Sequence, residues 1–172
     1  MSFVQSEIDT PELVVAKFGG TSVADYASMS RCADIVLANQ ATRLVVVSAS
    51  SGVTNLLVEL TQANVNDERR LVLLKQIAQI QYAILDELGR PQDVAASIDK
   101  ILSRMSVLSE SLELNRSKAV MDELLSTGEQ CSSILFSAVI REPLQIILMC
   151  AKYYVPTVTL VVQNHKLKRF QC

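Results

Sequence analysis

The spacing of apolar positions along the chain divides it into a short opening of strand period and a long stretch of helical period. Leu13 to Phe18 is a compact, partly β-branched run and reads as a buried strand. From Val23 to Asn39, the residues Met29, Cys32, Ile35, Val36 and Leu37 fall on or near one face, which predicts an amphipathic helix with Ser22 as its candidate cap. Arg43 to Ser50 holds the apolar run Leu44–Val47 and predicts a second strand. A strand, a helix and a strand in this order make a parallel crossover the economical arrangement. From Asn55 to about Arg141 the period is helical almost throughout. Leu56, Leu57 and Leu60 carry a short helix, and Glu68 to Leu88 a longer one. Gly89-Arg90-Pro91 interrupts it, because proline stops a helix and glycine ends one well. Gln92 to Leu114 resumes the period with Val94, Ile98, Ile101, Leu102, Met105 and Leu108, a stripe that reads as core. Lys118 to Ile140 is the last predicted helix, with Gly128 as a candidate break. The expected class is α/β with a long, mainly helical segment.

Composition narrows the function more than the fold. The chain has 172 residues, about one domain, and 49% of them are hydrophobic. A net charge of −2 without a basic block gives no reason to expect nucleic acid or an anionic membrane as partner. No apolar run is long enough to span a bilayer. Residues 1–12 read as a loose polar leader unlike a signal peptide, so the cytoplasm is the expected compartment. Cys32, Cys131, Cys150 and Cys172 are scattered without CxxC spacing and read as reduced thiols, not as a disulfide frame or a zinc site. With His165 as the single histidine, a histidine-based triad or metal site is not expected. Aromatic residues at 5%, with no tryptophan, argue against a base-stacking surface.

Two loops carry candidate chemistry. After the first strand come Lys17, Gly19-Gly20 and then Thr21-Ser22. Glycines let backbone N–H groups approach an anion, and Lys17 adds a full positive charge beside them. The lysine precedes the glycines and no G-x-x-x-x-G-K spacing exists, so this is not a Walker A loop. There is no G-x-G-x-x-G either. By itself the pattern fits a phosphate site and a plain tight turn about equally. Ser48 to Asn55 is a small-residue loop at the end of the second strand. Ligands of open parallel sheets sit outside the carboxyl ends of strands, which is where both loops fall. The alternative for the second loop is a polar turn whose Ser50 and Ser51 only cap the next helix. Gly128 costs its helix about 1 kcal/mol relative to alanine, so it marks close approach of a ligand or another backbone. Glu129 beside it is either a ligand-binding group or an ordinary solvated carboxylate.

Three separated blocks together are far more specific. They are Val15-Ala-Lys-Phe-Gly-Gly-Thr-Ser-Val-Ala24, Val46-Val-Ser-Ala-Ser-Ser-Gly-Val-Thr-Asn-Leu-Leu57 and Asp122-Glu-Leu-Leu-Ser-Thr-Gly-Glu129. In order and spacing they resemble the N-terminal part of the aspartokinases, within the amino-acid kinase superfamily. The likeness runs over residues 13–142 and is greatest to the monofunctional, lysine-sensitive bacterial type. It implies a three-layer α/β/α amino-acid kinase fold, incomplete here. It also implies ATP-dependent phosphorylation of the L-aspartate side-chain carboxylate, the first step towards lysine, threonine and methionine. By resemblance, Lys17 would be catalytic, stabilising the transferring phosphoryl group. Lys17, Gly19, Gly20, Thr21 and Ser22 would hold the ATP phosphates. Ser48, Thr54 and Glu129 would bind aspartate, Glu129 through its α-ammonium. Magnesium would arrive with ATP, with no metal site of the protein's own, and full-length members are homo-oligomers.

The chain departs from the family after Glu142. The resemblance implies an arginine for the substrate carboxylate, a Gly-rich, Asp-containing nucleotide segment and ACT-type regulatory domains, and none of these follows. Residues 143–172 have a different composition. Yet codons permitted by Ile147 to Thr157, read in another frame, give Phe-Asp-Val-Arg-Lys-Val-Leu-Arg-Thr-Asn, which resembles what aspartokinases carry next. The tail is therefore expected to be frameshifted, leaving Tyr153, Tyr154 and His165 without a role, and the chain by itself inactive. The alternative is a non-catalytic truncated product or a helical interaction fragment.

Overall fold

A computed structural model describes residues 14–114 and 116–140, together with the backbone of Ile146–Cys150, Val158–Val161 and Arg169–Phe170. The leader and the side chains of the tail, including Tyr153, Tyr154 and His165, lie outside the described residues. Strand β1 is Val14–Phe18, helix α1 is Tyr26–Ala38 and strand β2 is Thr42–Val47. The two strands pair in parallel, with Lys17 beside Val46 and Phe18 beside Val47. The crossover read from the sequence is thus the observed one. Helices α2 (Val53–Leu60), α3 (Asp67–Glu87), α4 (Gln92–Leu114) and α5 (Lys118–Val139) follow. Then come β3 (Ile146–Cys150), parallel to β2, and β4 (Val158–Val161) and β5 (Arg169–Phe170), each antiparallel to its neighbour. The strand order in the sheet is β1-β2-β3-β4-β5.

Alternation decides which side of the sheet the helices cover. Val45 and Val47 are fully buried, while Val15, on the other face of β1, is 51% exposed. The Phe18 ring meets Phe136 of α5 with centroids 5.7 Å apart, which pins the end of β1 to that helix. Beyond the sheet, Leu73, Ile77, Ile84 and Leu85 of α3 share one core with Ile98, Met105, Leu108 and Leu112 of α4. The periodic stripe of α4 is therefore core, as its spacing indicates.

Local chemistry sets the helix boundaries. The sequence points to Ser22 as the cap of the first helix, and here the structure differs. Gly20–Val23 closes into a 3₁₀ turn, with the Ser22 amide donating to the Gly19 carbonyl at 2.9 Å. The cap passes to Asp25, whose extended backbone lets its carboxylate accept the Ser28 N–H at 2.7 Å. That backbone bond holds the Asp25 carboxyl below its ordinary value. Asn66 caps α3 and Ser117 caps α5 in the same manner. The predicted break after α3 is a paired left-handed turn: Gly89 has φ +77° and Arg90 φ +48°. Their amides return to the carbonyls of Asp86 and Leu85, satisfying the helix end. Arg90 is an unusual residue for that conformation. Its guanidinium stacks over the Tyr82 ring at 5.2 Å and pairs with Asp86, which offsets the backbone cost.

Among the described residues of the helical layer, Gln81 departs furthest from the core's chemistry. Gln81 of α3 is fully buried, and neither its amide nitrogen nor its oxygen has a hydrogen-bond partner. An unsatisfied buried polar group costs about 1–3 kcal/mol. Gln81→Met keeps the side-chain length without the amide. It is expected to raise unfolding stability by about 1 kcal/mol in urea titrations, and a loss of stability would contradict this reading of the layer.

Candidate functional site

Because β1 and β2 run in parallel and in register, both loops leave the sheet at the same edge. The Ser48 amide donates to the Phe18 carbonyl at 3.1 Å, extending the ladder by one bond past the strands. Directly beyond it the two loops touch through backbone. A Cβ added to Gly20 would sit 2.8 Å from the Ala49 carbonyl oxygen. Only glycine permits that approach without a shift. Gly19 faces open space instead, with nothing within 4 Å of where its Cβ would stand.

The second loop then turns into α2 through Gly52, which has φ +83° and stands at the cap position without a side-chain cap bond. The Val53 amide donates to the Ser50 carbonyl at 3.0 Å, closing the turn. Thr54, in the first turn of α2, is half-buried. Ser50 is not a helix cap. Its amide donates to the Ser132 hydroxyl oxygen at 3.0 Å, and the two hydroxyls share a hydrogen bond at 3.3 Å.

Helix α5 supplies the third side. Gly128 does not break it; the helix runs unbroken from Lys118 to Val139. A Cβ on Gly128 would meet the Ala49 Cβ and Leu57 Cδ1 at 2.9 Å and Val53 Cγ1 at 3.2 Å. The close approach read from the sequence is therefore made by the second loop and α2. Glu129 is 3% exposed, so it is not an ordinary solvated carboxylate. Cys131, two residues on, is a free thiol pushed up to about 12 by burial. Cys32 of α1 is also free; its Sγ donates to the Ser22 carbonyl at 3.3 Å, and burial raises its pKa.

The structure thus brings the three sequence blocks to one corner of the sheet. Lys17 stands exposed at the end of β1, followed by Gly19, Gly20, Thr21 and Ser22 in the first loop and 3₁₀ turn. Ser48 follows β2, Thr54 opens α2, and Glu129 lies on α5 beside Gly128. Sequence reasoning passes over Ala49 and Ser132. The only trace of the latter is a pair of serines, Ser132-Ser133, inside an apolar helix. Among the described residues no group of three or more His, Cys, Asp or Glu side chains could hold a metal ion, and no helix is long and apolar enough to cross a membrane.

The corner thus joins a glycine turn after β1 to a serine-rich loop after β2 within an α/β domain. The amino acid kinase family matches residues 12–164, and the chain belongs to it. Within that family its likeness is to aspartokinases. It is 47% identical over 131 residues to lysine-sensitive aspartokinase 3 of Escherichia coli, covering 76% of this chain and 29% of that protein. The solved structure of E. coli aspartokinase III in complex with aspartate and ADP superposes with a TM-score of 0.72, at the same identity and coverage. A putative inactive aspartokinase 3 of Haemophilus influenzae is 56% identical over 63 residues, 37% of this chain and 52% of that one. The chain thus spans 29% of the length of the E. coli relative.

The contact at Gly128 gives a direct test. Alanine there gains helix propensity but overpacks against Ala49, and overpacking costs about 1–3 kcal/mol. Gly128→Ala is expected to lower stability by about 1–2 kcal/mol net, read as a reduced urea midpoint at unchanged slope. A rise in stability, as at an open helical glycine, would contradict the contact.

Proposed function

We propose that this chain carries the aspartate-binding corner and the first phosphate loop of an aspartate kinase, which phosphorylates the L-aspartate side-chain carboxylate from ATP to give 4-phospho-L-aspartate. The observation that carries the reading is the meeting of all three family-like blocks around Ala49. A relative solved with aspartate and ADP supports the same ligand pair.

The residues fit these roles. A carboxylate is already a nucleophile, so the acceptor needs no general base. Catalysis then rests on positioning and on neutralising charge in transfer. Lys17 is exposed at the strand end, where its ammonium can reach a phosphoryl group. The open side of Gly19 leaves room for a phosphate against its backbone, with Gly20, Thr21 and Ser22 continuing the cradle. Magnesium supplies further charge neutralisation on the nucleotide's phosphates. Ser48 and Thr54 border the acceptor, and Glu129 holds the substrate α-ammonium by a charge-assisted bond. The compartment is the cytoplasm, and the assembled enzyme is a homo-oligomer acting at the entry to lysine, threonine and methionine synthesis.

A second reading is a catalytically silent segment. It is supported by the relative named as an inactive aspartokinase and by the exposed outer face of β1 at Val15. Both readings share one expectation for these 172 residues alone: no acyl phosphate trapped as hydroxamate from aspartate and ATP. Clear turnover would contradict it. We also propose that residues 143–172 arise from a frameshift near codons 142–147, although the family match extends to residue 164. Resequencing the DNA across codons 140–175 decides this, since an alternative frame that closes at once would make the tail genuine.

Ligand binding separates the readings. L-Aspartate is expected to shift the amide resonances of Thr54 and Glu129, and succinate, which lacks the ammonium, to shift them far less. Glu129→Gln is expected to weaken aspartate binding about tenfold or more, as loss of a charged hydrogen-bond partner does. An unshifted spectrum with aspartate would sink the kinase reading of this corner.

A further inference from the structure

The aspartate reading assigns ligands to two elements far apart in sequence: Thr54 at the start of α2, and Glu129 on α5. Their relative position depends on what ties the 48–52 loop to α5. Apolar contact at Ala49 sets the distance but does not stop sliding, because packing forces are not directional. The directional tie is one hydroxyl. Ser132 is fully buried, Ser50 is 1% exposed, and the Ser50 amide donates to Ser132 Oγ across 82 positions of chain. Ser132 lies three residues after Glu129, so both project from neighbouring positions on the helix surface. Ser50 closes the turn that starts α2 through the bond from the Val53 amide. The amide bond to Ser132, with the 3.3 Å contact of the two hydroxyls beside it, therefore connects the helix that bears Glu129 to the turn that aims Thr54.

We propose that Ser132 is a positioning residue, whose hydroxyl oxygen holds the Ser50 backbone amide so that the loop bearing Thr54 and the helix bearing Glu129 bind one amino-acid substrate together. The inference rests on the aspartate reading above. It assigns the work to the Ser132 oxygen accepting the amide, not to the pairing of two side-chain hydroxyls. Without that oxygen the Ser50 N–H is buried with no acceptor, a state that backbone groups rarely occupy. The loop then moves off α5 to reach water, and the two halves of the site separate.

Two single-hydroxyl deletions in the full chain test this. Ser132→Ala removes the acceptor and suits a helix; Ser50→Ala removes the partner hydroxyl and keeps the amide. The readouts are amide hydrogen exchange at residue 50 and an L-aspartate titration followed by backbone NMR. Ser132→Ala is expected to speed exchange at Ser50 about tenfold and to weaken aspartate binding about as much, the effect of losing one buried hydrogen bond. Ser50→Ala is expected to stay within about twofold of the parent chain on both measures, since it retains that bond. Equal weakening in both variants, unchanged aspartate affinity in Ser132→Ala, or failure of Ser132→Ala to unfold cooperatively would each overturn the inference while leaving the aspartate reading in place. Absence of aspartate binding to the parent chain would overturn both, so the two failures are distinguishable.

Discussion

Everything at the functional corner depends on one steric constraint: two segments approach the loop at Ala49 more closely than side chains larger than hydrogen allow. Gly20 faces its carbonyl, and Gly128 faces its methyl group. Two loops at a sheet edge and one helix are thereby held within backbone distance of each other. Cores resist both voids and overfilling, so a contact of this kind has little tolerance for an added methyl. The glycines cost conformational entropy, and Gly128 also costs helix propensity. Their presence at the one place where three elements converge is the physical reason the elements can converge at all.

The rest of the molecule holds that corner still. The parallel pairing of β1 and β2 puts both loops at one edge. The Phe18–Phe136 contact and the buried faces of Val45 and Val47 seat α5 against the sheet. Charge is kept mostly outside this joint. The ion pairs Arg69–Glu59 and Arg104–Glu123 lie at the surface of the helical layer, where such pairs contribute little individually, while the buried Arg70 reaches out to Glu113. The corner itself holds an exposed Lys17 on one side and a buried Glu129 on another.

Much of this is legible in the chain itself, for identifiable reasons. β1, β2 and the helix limits at 89–92 and 114–118 follow from period and from breakers, which are local properties. The glycine loop and the serine-rich loop are legible because glycine and small polar residues mark special backbone. The first helix cap is not: Ser22 and Asp25 both qualify chemically, and only the folded chain shows Ser22 inside a 3₁₀ turn and the cap at Asp25. Ala49 and Ser132 are invisible for the same reason. An alanine in a loop and a serine in a helix carry no local signal, and their partners lie tens of residues away. The burial of Glu129 likewise depends on packing that only the assembled fold supplies.

The central claim is that the Ala49 methyl group and Gly128 occupy the same limiting space. A double-mutant cycle of Ala49→Gly with Gly128→Ala, followed by urea unfolding, measures it directly. Removing the Ala49 methyl makes room for the one added at position 128, while the Leu57 methyl can swing aside. The account predicts that Gly128→Ala costs at least about 1 kcal/mol less in the Ala49→Gly background, a coupling within the range of residues in contact. Additivity to within about 0.5 kcal/mol, the behaviour of independent sites, would mean that Ala49 and Gly128 do not share the space from which the site is built.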